Sequence, residues 1–365
     1  LRGGVVRPDV VDATFSQNDA NRGGAIRVEG FSTDTTGTAS VARPTFTNLT
    51  VTDNSADDRG GGVSIVARGG GEASPLFTDA TFTSNEATNS GGAIDVVADT
   101  LSQNGNPSLA SPSIKTAAFR ANRTTEGPGG GLATRTKDGG TTTPTISNAV
   151  FAANTAGSSG GAVDNRSQGS GTADPAFVNV TFAGNSADES GGVLASGRDG
   201  AGSARPTLVN TILWNNTADA DGDGSGSNDE IFVLDGTATA NYSIIQGGCP
   251  VNVDCTTNLL DDNPQFAAKN AGAGPDTTYG TSDDNLRLQG PGSLGGASPG
   301  IDAGNNAALD LDGDGALDVS NGLGGQDRRL DVGDVNDTGS GTAPIVDMGA
   351  YESQGAPLSN LKGPS

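Results

Sequence analysis

Short apolar stretches alternate with polar, glycine-rich turns over the first 218 residues. In the clearest units an aromatic residue stands three positions before an asparagine, as Phe82 does before Asn85, and a second apolar stretch begins with the sequence GGAI at residues 91–94. The aromatic or aliphatic residue and its asparagine recur as Phe15 and Asn18, Val51 and Asn54, Phe119 and Asn122, Phe151 and Asn154, Phe182 and Asn185, and Leu213 and Asn216.

The units form a repeat array rather than a chance pattern. Each copy opens at a proline, and successive prolines lie 31 to 37 residues apart, at Pro8, Pro44, Pro75, Pro112, Pro144, Pro175 and Pro206. Strands this short cannot bury an apolar face alone, but they can when identical copies stack on one another. The spacing therefore predicts an all-β parallel β-helix (solenoid) over residues 1–218, with one repeat per coil and almost no helix.

The recurring asparagine allows two interpretations, ligand binding or a structural role. At the corner of a coil, asparagine tolerates left-handed backbone angles, and stacked amides hydrogen-bond along a ladder, so we favour the structural role. The Gly-Gly pairs are interpreted as backbone corners in the same way, because none of them opens a helix or matches a phosphate-binding loop.

The run Phe-x-x-Asn followed by GGAI resembles the repeat of the chlamydial polymorphic outer membrane proteins and related bacterial right-handed β-helices, over roughly residues 1–218. This resemblance implies a right-handed coil and a surface-exposed protein that is usually adhesive. It is the first indication of function that the chain offers.

The last third of the chain is less regular. Residues 231–297 are expected to form the last irregular rungs, with Cys249 and Cys255 joined in a small disulfide loop or, alternatively, free. The sequence SPGIDAG at 298–304 and DMGAYE at 347–352 is similar to the choice-of-anchor Q domain of exported bacterial proteins. We expect residues 298–355 to form an irregular C-terminal cap over the open end of the core, with 356–365 as a tail.

Two acidic loops predict structural calcium sites. Residues 219–230 match the twelve-residue calcium-loop pattern of oxygen donors, with candidate ligands Asp219, Asp221, Asp223, Ser225, Ser227 and Glu230. A second loop repeats the first half of that pattern with Asp310, Asp312, Asp314 and Asp318. The alternative for both is a solvated acidic excursion, and solvation is the default for the looser pairs Asp283 with Asp284 and Asp331 with Asp334.

Composition narrows the possible partners. The net charge of −23 and a pI near 4.1 argue against nucleic acid or an anionic membrane surface, because phosphate contacts need cationic side chains. The chain has no histidine, which excludes a Ser-His-Asp triad and histidine-bound zinc. No run of 18 apolar residues is present, so no membrane span is predicted.

Some parallel β-helices carry the active site of an enzyme. Polysaccharide lyases and glycoside hydrolases on β-helices need carboxylates together with a basic residue, or paired carboxylates, on one face. Asp57, Asp58, Asp188 and Glu189 share equivalent turn positions, but no basic column is expected to face them, and sugar-stacking aromatics are few. We predict a non-enzymatic protein, with such an enzyme as the alternative.

The expected function is that of an exported extracellular or cell-surface protein with a structural or adhesive role. Residues 3–6 match the second half of a coil, so either upstream residues are missing or a copy of the chain stacks there, head to tail in a filament. A monomeric adhesin that binds a surface glycan or matrix ligand is the alternative.

Overall fold

Four strands make up one coil of the chain, and each pairs in parallel with its equivalent in the next coil. This is a computed structural model, and it describes residues 4–32, 39–100, 106–218, 230–268, 270–293 and 295–353. The four resulting sheets run along the axis and are called sheets 1 to 4 in chain order. The predicted right-handed parallel β-helix is confirmed, with about seven coils; the repeat has four strands, two more than the apolar pattern indicated.

Sheets 1 and 3 consist of short strands at the corners of the coil. Sheet 1 contains Val5–Val6, Val41–Ala42, Glu72–Ala73, Leu109–Ala110, Thr141–Thr142, Thr172–Ala173 and Ser203–Ala204. Sheet 3 contains Asp19–Arg22, Ser55–Arg59, Glu86–Ala87, Arg123–Thr124, Thr155–Ala156, Ser186–Ala187 and Thr217–Ala218. Most of these strands have only two residues and lie in polar sequence, which is why the apolar pattern does not reveal them.

Sheets 2 and 4 are the broad walls of the coil. Sheet 2 contains Asp9–Ser16, Thr45–Thr52, Leu76–Thr83, Ser113–Arg120, Thr145–Ala152, Ala176–Ala183, Thr207–Val209, Ile212–Trp214, Ala238–Asn241, Ser243–Ile245, Val253–Asp254 and Leu259–Leu260. Sheet 4 contains Ile26–Phe31, Val63–Arg68, Ile94–Asp99, Leu132–Lys137, Val163–Gln168, Leu194–Asp199 and Ile231–Leu234. The described helical residues are the two short 3-10 turns Asn270–Gly272 and Asn306–Leu309.

The core is the lumen between the walls. Because the register is constant, equivalent residues stack: the rings of Phe82, Phe119 and Phe151 lie parallel, with centroids 4.8 and 4.3 Å apart. Each of these side chains is fully buried. The apolar column predicted from the repeat is therefore an aromatic stack from Phe82 to Phe182, continued by Val51 at one end and Leu213 at the other.

The repeated asparagine forms the predicted ladder inside the coil. The side-chain amide of Asn122 donates to Oδ1 of Asn154 at 2.9 Å, and Asn154 donates to Asn185 at 2.9 Å. The backbone N–H of each asparagine also donates to the next Oδ1, as from Asn122 to Asn154 at 3.1 Å. One detail differs from the expectation: the left-handed angle belongs to the residue before the asparagine, for example Ala153 with φ 55°.

The glycine pair turns the chain from sheet 3 into sheet 4, as predicted. Gly160 has φ 69°, in the left-handed region that glycine adopts without steric cost. A Cβ on Gly161 would lie 2.3 Å from the carbonyl oxygen of Gly192 in the next coil. The pair is thus required by the close approach of neighbouring coils at this corner.

The C-terminal region lies on the side of the coil rather than over its end. Its apolar residues, among them Phe266, Ile301 and Met348, pack against the outward side chains Val150 and Ala183 of sheet 2. The C-terminal end of the lumen is instead packed by Val253, Cys255 and Leu259. Sheet 2 carries apolar side chains on both faces, so its outer face needs the cover that the C-terminal region supplies, and the predicted extent of a cap at residues 298–355 stays a prediction.

The two cysteines form a disulfide, as expected. Cys249 and Cys255 are joined in the last irregular rung, with their Cα atoms 6.0 Å apart. Residues 354–365, which include the end of the predicted cap and the tail, lie outside the described residues.

Candidate functional site

The second acidic loop brings three of its four predicted ligands together. One carboxylate oxygen each of Asp310, Asp312 and Asp314 lies within 4.8 Å of the others. The loop is held by its own backbone: the N–H groups of Gly313 and Gly315 donate to the two oxygens of Asp310 at 2.8 and 2.9 Å. This folds the acidic residues around one point.

Asp318, the fourth predicted ligand, has other partners. One of its oxygens accepts from the N–H of Leu311 at 2.9 Å, and the other lies 3.5 Å from Nζ of Lys115 in sheet 2. It therefore fastens the acidic loop to the side of the coil.

The first acidic loop is described only at its last residue. Asp219, Asp221, Asp223, Ser225 and Ser227 lie outside the described residues. Glu230 is buried, and its Oε2 accepts from the side-chain amide of Asn216 at 2.8 Å, so it continues the asparagine ladder. Burial raises the pKa of Glu230 to about 8, although the hydrogen bond from Asn216 favours the charged form.

Replacing Glu230 with glutamine separates a ladder role from a calcium role. Glu230→Gln keeps an oxygen acceptor for Asn216 and removes the cost of protonating a buried carboxyl group on folding, so the free energy of unfolding at pH 7, measured by urea denaturation, should stay within about 0.5 kcal/mol of wild type or rise. Glu230→Ala should lose about 1–2 kcal/mol, because a buried donor is left unpaired. Equal losses in both variants would mean that the charge itself is needed.

The outer face of sheet 4 carries two arginines side by side. Arg135 and Arg166 are paired in register on neighbouring strands, and their side chains are 20% and 34% exposed. Like charges directly opposite each other in a sheet repel unless counter-charges are near. Asp164 contacts Arg166 at 3.0 Å, whereas Asp95 is 3.9 Å from Arg135. Nη2 of Arg135 is buried and has no hydrogen-bond partner among the described residues.

The two aspartates beside these arginines are unusual acids. Asp95 and Asp164 are almost completely buried, and burial raises the pKa of each to about 6, against the opposing effect of nearby arginines. Neither residue was singled out from the sequence. The signal was present as an Asp or Arg at alternate positions after the glycine pair, but only the register places them in one patch.

One of the four turn acids, Asp58, has basic neighbours that the sequence-based interpretation did not expect. Asp58 contacts Arg22 at 2.7 Å and Arg59 at 3.2 Å. Glu189 accepts from the hydroxyl of Ser159 at 3.2 Å. The turn positions align between coils, so Arg22 of one coil meets Asp58 of the next.

A buried charged cluster fixes the C-terminal region to the coil. Arg328 is fully buried and donates from Nε and Nη2 to Oδ1 of Asn148, at 2.8 and 2.6 Å, while its Nη1 lies 3.5 Å from Glu352. Burial raises the pKa of Glu352 and of the neighbouring Asp347, and it lowers the pKa of Arg328. Asp347 also accepts from the N–H of Asp302 at 2.8 Å, which joins the two C-terminal motifs.

The docking asparagines share one repeat position. Asn148, Asn179 and Asn210 all have φ near 50° in the middle of sheet 2. Asn179 donates to the carbonyl of Asp347 at 3.0 Å, and Asn210 both accepts from and donates to the backbone of Asn305. In other coils the position holds Asp12, Asn48, Asp79 or Thr116, so an asparagine at this position does not by itself mark the docking surface.

Comparison with known proteins bears on the repeat itself. The family model of the Chlamydia polymorphic membrane protein repeat matches residues 79–96, which include the ladder residue Asn85 and the glycine corner. No curated protein and no solved structure matches the chain. The similarity of residues 298–355 to a choice-of-anchor Q domain stays a prediction.

Among the described residues no helix has the length and apolarity to cross a membrane. The chain is a parallel β-helix protein that carries, at residues 79–96, a repeat similar to that of Chlamydia polymorphic membrane proteins.

Proposed function

We propose that the protein is an exported cell-surface adhesin whose coil presents the outer face of sheet 4 to an acidic glycan. The repeat type and the β-helix support a surface adhesive role. The observation that carries the proposal is the pair of partly exposed arginines, Arg135 and Arg166, which lie side by side on neighbouring strands, with the nearest counter-charge of Arg135, on Asp95, 3.9 Å away. The C-terminal region covers the outer face of sheet 2 around Val150 and Ala183, which leaves sheet 4 as the broad wall available to a ligand along these coils.

The chemistry of the arginine patch favours a carboxylate or sulfate group. Guanidinium groups bind such anions through two parallel N–H donors, and the partly exposed side chains are reachable from solvent. The whole chain carries a net charge of −23, so a long polyanion is repelled. The ligand that fits is a glycan with an isolated acidic sugar rather than a densely charged polymer.

Removing the Arg135 charge should weaken binding without unfolding the coil. We expect Arg135→Gln to bind an acidic oligosaccharide, such as a short uronic-acid glycan, at least about 10-fold more weakly, since one charge-assisted hydrogen bond contributes about 1.5–3 kcal/mol. Arg123→Gln, on the exposed surface of sheet 3, is the matched control and should bind as wild type. Calorimetric titration and a glycan array with neutral analogues measure both.

Two results would contradict this function. Equal binding of acidic and neutral glycans would remove the arginine patch from recognition. An unchanged affinity of Arg135→Gln, with a melting temperature equal to that of wild type, would do the same. Cleavage of the oligosaccharide during the titration would favour the alternative of a β-helix lyase or glycoside hydrolase, whose acids would be Asp95 and Asp164.

Calcium is proposed as a structural ligand of the second acidic loop. The support is the convergence of oxygens from Asp310, Asp312 and Asp314, the donor type that calcium prefers. Calcium at 100 times its Kd should stabilise the folded chain by about 2.7 kcal/mol, and Asp312→Asn should lose most of this gain in thermal melts with and without chelator. Asp334→Asn is the control, and an equal response of both variants would contradict the proposal.

Head-to-tail assembly into filaments stays a prediction. Electron microscopy of the purified protein tests it directly, since filaments with one molecule per axial repeat would support stacking of copies. Isolated rods would leave the monomeric adhesin as the working proposal.

A further inference from the structure

A third group of carboxylates lies where the SPGIDAG segment meets the loop at residues 331–337. One carboxylate oxygen from each of Asp302, Asp331 and Asp337 lies within 4.8 Å of the others. Asp331 and Asp337 are exposed, whereas Asp302 is completely buried. The group is separate from both acidic loops predicted from the sequence.

One side-chain oxygen of the buried member lacks a hydrogen-bond partner. Oδ1 of Asp302 has none among the described residues, and Oδ2 accepts a long bond of 3.4 Å from the N–H of Val332. Buried carboxylate oxygens are normally bonded, and an unpaired one needs a compensating charge. The groups that face Asp302 are two further carboxylates, which would repel it if nothing lay between them.

The backbone around Asp302 is already fixed. Its N–H donates to Asp347 at 2.8 Å, and its carbonyl accepts from the N–H groups of Thr338 and Gly339 at 2.9 and 3.1 Å. The loop that carries the other two carboxylates is therefore joined to the Asp302 segment by main-chain bonds. The three acids are held at close range by the fold and not by flexible side chains alone.

We propose that Asp302, Asp331 and Asp337 bind a divalent cation of the calcium type. The donors are all carboxylate oxygens, which suit hard cations such as calcium or magnesium rather than zinc or copper. The half-open arrangement, with one buried and two exposed acids, leaves room for water molecules to complete the coordination. The ion neutralises the buried carboxylate and links the SPGIDAG segment to the 331–337 loop.

The site has a structural consequence beyond glycan binding. Asn305, three residues after Asp302, is bonded to Asn210 on the outer face of sheet 2. A cation at Asp302 therefore ties the 331–337 loop to the part of the C-terminal region that docks on the coil. Loss of the ion should loosen that loop and leave the coil intact.

The test uses the full chain, stripped with chelator and titrated with calcium chloride or magnesium chloride at pH 7.5. Asp331→Asn and Asp337→Asn change exposed side chains and should fold normally. Each should bind one ion per chain fewer than wild type by calorimetry and lose about 2–5 °C of the calcium-dependent rise in Tm. Asp334→Asn, in the same loop but outside the group, should behave as wild type.

A separate control distinguishes the ion of the second acidic loop from the ion at Asp302. Asp312→Asn should remove a different ion, so that the double variant Asp312→Asn with Asp337→Asn binds two fewer than wild type. An ion count that is unchanged in both Asp331→Asn and Asp337→Asn overturns the proposal. The proposal is also overturned if Asp302→Asn is as stable as wild type and no variant responds to calcium. Asp302 would then be held neutral by a proton.

Discussion

Asn154→Ala should lower the free energy of unfolding by about 3–5 kcal/mol, although it removes no apolar contact of the aromatic stack. The side-chain amide donates to the carbonyl of Phe119 at 3.0 Å and to Asn185 at 2.9 Å. Its oxygen accepts from both the N–H and the amide of Asn122. The substitution leaves these groups buried without partners, each at a cost of about 1–3 kcal/mol before relaxation.

The effect should spread along the coil because stability in a solenoid depends on the interface between neighbouring repeats. Urea denaturation followed by circular dichroism measures it, and a second transition would show that the coil divides at the altered rung. Asn89→Ala is the matched control: Asn89 is exposed, its side-chain amide donates to Asp58 at 3.2 Å, and the substitution should change stability by less than about 0.5 kcal/mol. A decrease in the free energy of unfolding of less than about 1 kcal/mol in Asn154→Ala would mean that water molecules replace the lost hydrogen bonds of the ladder.

Arg328→Met should be about as destabilising, and its effect should concentrate on the C-terminal region. The substitution keeps much of the side-chain volume but removes the guanidinium that donates to Asn148 and faces Glu352. Removing one partner of a buried charged pair costs about 3–5 kcal/mol, since the other charged group is left buried without a counter-charge. Limited proteolysis should cut residues 300–353 well before the coil.

Two further variants make this result specific. Arg329→Met alters the neighbouring arginine, which bonds the carbonyls of Thr342 and Pro344 near the surface, and should cost about 1 kcal/mol or less. Adding Glu352→Gln to Arg328→Met should recover part of the stability, because no uncompensated acid then remains at that position. Equal proteolysis of Arg328→Met and wild type would show that the apolar contacts alone hold the region on sheet 2.

The effects of calcium binding and glycan binding can be separated from the effects of Asn154→Ala and Arg328→Met. The asparagine ladder and the Arg328 cluster act in the absence of any ligand, so their variants should be destabilised equally with and without chelator. Variants at Asp312 or Asp337 should differ from wild type only when the cation is present.

The sequence alone determined the architecture of the coil. The spacing of Phe119 and Asn122 from their counterparts in the next repeats was enough to predict a stack, a ladder and a glycine corner. The reason is that a parallel solenoid places each residue against the equivalent residue of the adjacent coil. The repeat period therefore specifies which residues of neighbouring coils are in contact. The disulfide between Cys249 and Cys255 was one of two alternatives, favoured because an exported chain meets an oxidising compartment, and the structure shows it formed.

Only the tertiary structure decided the sites. Asn148 meets Arg328 across 180 residues, Asp302 meets Asp331 and Asp337 through a turn of the irregular region, and Glu230 ends the ladder inside the coil instead of projecting into solvent. None of these contacts recurs with the repeat, and the contact of Asn148 with Arg328 depends on which face of the coil the C-terminal region covers. That choice is made by the summed packing of apolar side chains on the outer face of sheet 2, a property of the surface that no local pattern in the chain expresses.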